Sequence, residues 1–144
     1  MQEIKTGYGL SPATLIAPAV YSADTTPVSV DCSGYDGAVI SLAIGVGGIT
    51  FSGTNKIEFV LEHSEDNSTW ANVTTADMIG VTIASGGIIR ALVAAKAAAD
   101  VVLYRYKGPR HHLRLTADFS GTHGTGTSIS AVLIRGNPTV PVTA

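Results

Sequence analysis

Hydrophobic and polar positions alternate most cleanly in residues 57–73, IEFVLEHSEDNSTWANV, where Ile57, Phe59 and Leu61 interleave with Glu58 and Glu62. Side chains of an extended chain point to opposite faces in turn, so a period of two predicts a half-buried strand. Residues 64–68 then offer Asp, Asn and Ser, whose side chains bond the neighbouring backbone and turn the chain. Trp70, the single tryptophan, is expected to anchor the returning strand against the core.

The same reading predicts strands over residues 28–32 and 38–46, with a turn at 34–37 between them. Residues 38–46 are β-branched and apolar on both faces, which predicts a central strand covered on both sides. Glycines at 45, 47, 48 and 53 break the pattern into a loop or bulged edge. Residues 75–79 predict one short helical turn capped by Thr74 or Thr75, followed by strands at 81–84 and 88–93 around a Gly86-Gly87 turn. ALVAAKAAA at 91–99 fits either a two-turn helix or a strand entering a loop of small residues. Residues 101–107 and 111–119 alternate on either side of Gly108-Pro109, with Leu113, Leu115, Ala117 and Phe119 expected inward, and residues 129–135 form the last strand.

Residues 1–26 hold Gly7, Gly9, Pro12 and Pro18 without a sustained period, and read as an extended arm that lies on the domain or reaches a neighbour. Leu10, Leu15, Ile16, Val20 and Tyr21 make this segment too apolar for a solvated tail, so they are its candidate contact residues. Residues 137–144, with Pro138 and Pro141, read as an extended tail. The expected fold is all-β: one antiparallel β-sandwich or jelly-roll domain over residues 27–136, flanked by the arm and the tail.

Composition narrows the function classes. At 144 residues the chain is long enough for one domain with a core. Charged residues are only 14% of it and the net charge is −2, which argues for partner-covered apolar surface and against a dedicated nucleic-acid binder. Cys32 is the only cysteine and has no internal disulfide partner. No signal peptide and no run of about 18 apolar residues is legible, so neither export by that route nor a membrane span is expected.

Arg105, Lys107, Arg110, His111, His112 and Arg114 concentrate the scarce positive charge. They read either as a contact patch for an acidic protein, phosphate or sugar acid, or as the solvated face of a strand pair. His111 and His112 point to opposite faces of a strand and cannot share a metal, and His63 and His123 stand alone. Glu62, Glu65 and Asp66 lack the spacing of a calcium loop. No G-x-S-x-G elbow is present, and the glycines of GTHGTG at 121–126 do not open a helix after a strand. No cofactor, metal site or catalytic residue is expected.

Two segments carry a resemblance. LEHSEDNSTWANV (61–73) and YRYKGPRHHLRLTADFSGTHGTGTSISAVLIRGNP (104–138) together resemble small proteins of tailed bacteriophages and prophages encoded beside the major capsid protein. That family's turn has Gly where this chain has Asn67, and an aromatic residue where it has His112. The resemblance implies a non-enzymatic virion protein, a head decoration or cement protein assembled in the host cytoplasm. It would bind the major capsid protein on the head surface as a symmetric homo-oligomer, expected as a trimer. A tail or neck protein is the near alternative. The SxDxxxW turn also resembles carbohydrate-binding jelly rolls, which keeps a surface glycan open as a partner.

Overall fold

A computed structural model describes residues 9–138. Ten strands form two antiparallel sheets packed face to face, a β-sandwich as the alternation predicts. Sheet A runs β1 (Ser11–Tyr21), β10 (Thr127–Pro138), β3 (Tyr35–Ile44), β8 (Asp100–Tyr106) and β6 (Met78–Ile79), in that order. Sheet B runs β2 (Val30–Asp31), β9 (His112–Ser120) and β4 (Lys56–Ser64). Beyond β4, β5 (Ala71–Asn72) pairs with one end of that strand and β7 (Ile88–Leu92) with the other.

The core is the set of inward positions. Ile40, Leu42 and Ile44 of β3 face Ile57, Phe59 and Leu61 of β4 and Leu113, Leu115 and Ala117 of β9, all essentially inaccessible. Each such large aliphatic or aromatic side chain contributes roughly 1.5–3 kcal/mol by leaving water. The inward set on β9 is the expected one, with His112, Arg114, Thr116 and Asp118 on the opposite face.

Several expectations are corrected. Residues 11–21 lie on the domain, one of the two placements expected of the arm, but as a full strand of its sheet: they form β1, paired along their length with β10. Leu15 and Ile16 are 0% and 2% exposed, so they serve this chain's own core and are not available to a neighbour. Two adjacent residues both face inward because the β1–β10 register shifts between Thr14 and Ile16. Pro12 and Pro18 are tolerated because β1 is an edge strand, where a missing N–H need not break a ladder. Past β1, Thr25 crosses to sheet B, donating its N–H to the Ala117 carbonyl at 3.1 Å and accepting the Ala117 N–H on its hydroxyl at 2.9 Å. Residues 1–8 and the tail from 139 onward lie outside the described residues.

β3 is central, as expected, yet only its inner face is fully covered; Val39, Ser41 and Ala43 are half-buried on the outer one. The turn before it falls earlier than 34–37, since Tyr35 already donates its N–H to the Cys32 carbonyl at 3.2 Å around Gly34, whose φ is +87°. The segment 91–99 is not helical: β7 ends at Leu92 and a loop follows. Residues 81–84 form no strand beyond one bridge from Ala84 to Ile88. The helical turn at Thr75–Asp77 is present, and Asp77 accepts both the backbone N–H and the hydroxyl of Thr74, at 2.8 and 2.9 Å.

Candidate interaction surfaces

The candidate contact residues of the sequence do not form one site. β8 and β9 are not a hairpin: the chain crosses from sheet A to sheet B at Gly108-Pro109. Arg105 therefore stands exposed on the outer face of sheet A, while His112 and Arg114 stand on the outer face of sheet B. Lys107 and Arg110 lie in the crossover between them, beside a cleft of about 200 Å³ floored by Cys32 and Tyr106. The basic strand pair is thus split across the sandwich, because both strands spend their apolar sides on the shared core.

The outer face of sheet B is closed by its own side chains. The Nε of Arg114 donates to Glu62 at 2.7 Å, and its guanidinium lies over the Trp70 ring, 4.2 Å from the centroid. Trp70 is therefore half-buried on the outside of the sheet and does not anchor the core. Lys56 pairs with Glu58 at 2.8 Å along the same face. At the turn, the Asp66 carboxylate accepts the backbone N–H groups of Thr69 and Ser68 at 2.7 and 2.9 Å. These bonds, with those from the Ser64 and Thr69 hydroxyls, hold its carboxyl below the usual carboxylate range. The carboxylate is occupied by its own turn, and no group of three metal-ligating side chains occurs among the described residues. Asn67 has φ +57°, the one non-glycine residue in the left-handed region among the described residues, a conformation that glycine adopts without strain.

Several polar groups that enter the interior are tied to structure. His63, 5% exposed, shares a hydrogen bond of 2.8 Å between its Nδ1 and the Tyr106 hydroxyl, which also accepts the Arg110 N–H at 3.2 Å. Burial lowers the His63 pKa and pushes that of Tyr106 up to about 12. A Cβ at Gly108 would strike the Tyr106 ring, so the crossover closes over it only with glycine there. Burial also lifts the Cys32 thiol to about 11, which leaves it protonated and a poor nucleophile. Arg90 donates to Asp100 at 2.6 Å, Lys96 approaches the same carboxylate at 3.0 Å, and both contacts lower the Asp100 pKa. Arg135 clasps one end of the sandwich, donating to the Ser11 hydroxyl at 2.7 Å and the Asp31 carbonyl at 2.9 Å. No sequence signal singled out Arg135 or Arg90, since their partners are more than 100 residues away for the first and across a loop for the second.

The outer face of sheet A is different in kind. Reading across the strands, Ile134, Val39 and Arg105 form one row, Thr14, Val132, Ser41 and Leu103 the next, and Ser130, Ala43 and Val101 a third. Val20 and Ser128 continue it at the far end. Val20, Val101 and Leu103 are 62%, 63% and 52% exposed. Between the β1 and β8 rims lies an open trough of about 490 Å³, floored by the small residues Ala43, Gly45, Ser128 and Ser130 and bordered by Pro18, Val20, Asp100 and Val101. Of the five arm residues, Val20 belongs to this face, Tyr21 is half-buried and bonded to the Ala17 carbonyl at 2.6 Å, and Leu10 is exposed beside Gly136.

Comparison with protein families, with curated proteins and with solved structures returns no match for this chain.

Proposed function

We propose that this protein is a structural component of a tailed-phage virion, a head decoration or cement protein that grips its neighbours through the outer face of sheet A. The observation that carries the reading is the contrast between the two outer faces. Sheet B carries charge across its outer face, with Arg114 paired to Glu62, Lys56 paired to Glu58 and Asp118 exposed. Sheet A leaves an apolar, charge-poor face to water, and a face of that kind is the mark of a surface that meets another protein. The wording of the two segments that resemble phage proteins points to the same role. Repetition on a shell converts modest single contacts into firm attachment, so the function needs no reaction.

A sugar-binding role has less support. Its stacking platform would be Trp70, whose ring already carries the Arg114 guanidinium. The test of the proposal is copurification: in a lysate that produces the virus or prophage particle, the chain is expected to band with intact heads at a stoichiometry close to that of the major capsid protein. Recovery wholly in the free protein fraction would overturn the reading.

A further inference from the structure

We propose that the outer face of sheet A closes on the same face of a second copy of this chain about a two-fold axis, a dimer in place of the trimer that the resemblance implies; the proposal rests on that face being a contact surface. The partner's shape is written on the chain itself. Val101 and Leu103 make a ridge along β8, and immediately beside it runs the trough floored by Ala43, Gly45, Ser128 and Ser130. A two-fold rotation lays the ridge of each copy into the trough of the other, which is how an isologous interface satisfies both halves with one patch.

The size reaches the lower bound for a specific interface. Strands spaced about 4.8 Å apart and rising about 3.3 Å per residue give β1, β10, β3 and β8 a joint face of roughly 500 Å². Two such faces together bury on the order of 1,000 Å², the threshold for a specific interface. The middle of the face holds Ser41, Ala43, Ser130, Val132, Val101 and Leu103 and no charged side chain, while Asp100, which also lines the trough, is already paired with Arg90 and Lys96. Arg105 stands at one end of the ridge, where it can remain at a solvated rim. Pairing by the β1 edge is a poorer route to the same dimer, because Pro12 and Pro18 remove donors from it. Sheet-on-sheet packing about 10 Å apart needs no free edge.

Sedimentation velocity on the full chain tests this directly. The 14.8 kDa chain is expected to run at twice its monomer mass at concentrations on the order of 100 µM. Leu103→Asp, which charges the ridge, and Ala43→Arg, which fills the trough, are each expected to weaken the dimer by on the order of tenfold or more while leaving the circular dichroism spectrum unchanged. Asp118→Arg, exposed on sheet B, is the control and keeps the dimer. A monomeric wild type, a trimer, or a dimer indifferent to both face variants would overturn the proposal. Shell binding is scored separately: a monomer that still binds heads sinks the two-fold contact and keeps the virion role, whereas a face-dependent dimer that ignores heads supports the contact and sinks that role.

Discussion

The Arg114 guanidinium lies over the Trp70 ring at 4.2 Å while its Nε bonds Glu62, so one cation holds together a turn and two strands on the outside of sheet B. An exposed ion pair contributes roughly 0.2–1 kcal/mol and a surface cation–π contact about 0.5–1. Arg114→Ala is therefore expected to lower stability by about 1 kcal/mol, and Arg114→Glu by more, because it sets a second carboxylate against Glu62. Chemical denaturation followed by the fluorescence of the single tryptophan measures both, and the native emission of each variant is expected to shift to the red as Trp70 loses its cover.

Leu15 supplies the second prediction. Its side chain is fully buried in β1, so Leu15→Ala is expected to cost about 2–5 kcal/mol. Deleting residues 1–20 removes nearly all of β1 and uncovers the β10 side of the core, and the product is expected to be unfolded by circular dichroism. A folded, cooperative domain after that deletion would contradict the pairing of β1 with β10.

The burial of His63 sets a pH dependence. Burial lowers the folded-state pKa of His63, so the unfolded chain takes up a proton first as pH falls below the ordinary histidine value of about 6.5. The stability that His63 contributes is present above that value and is lost as pH falls toward and through the folded pKa. Melting temperatures of the wild type are expected to decline between pH 7.5 and 5, and His63→Gln is expected to flatten that limb. Asp31 and Asp100, whose folded pKa values are lowered by hydrogen bonds from Ser33 and Arg90 respectively, add a further loss in more acid solution, which His63→Gln leaves in place.

Cys32 is 7% exposed and its thiol is raised to about 11. At pH 8 the native protein is expected to react with a thiol-specific disulfide reagent far more slowly than the same protein in denaturant, where one equivalent reacts promptly. Rapid stoichiometric labelling of the native state would contradict the packing around Cys32.

What the sequence made legible follows from periodicity. Ile57, Phe59 and Leu61, and Leu113, Leu115 and Ala117, alternate so regularly that their strands and inner faces could be read directly. Partnership between distant strands was not legible, because a period of two says which side of a strand is apolar and nothing about which sheet it joins. Arg105 and Arg114 therefore looked like neighbours and stand on opposite faces. The prolines of β1 hid a strand because Pro12 and Pro18 are permitted only at an edge, and edge position is a property of the assembled sheet. The trough of sheet A escaped notice for a like reason: Ala43, Gly45, Ser128 and Ser130 come from two segments more than 80 residues apart, and their small size matters only once Val20 and Val101 flank them.

Which broad face a partner covers is read directly by cysteine footprinting. In a Cys32→Ser background, Leu103→Cys on sheet A and Asp118→Cys on sheet B are each treated with a maleimide in the assembled and the dissociated protein. Protection of position 103 on assembly, with position 118 labelled equally in both states, is the predicted result; protection of 118 with 103 left open would contradict it.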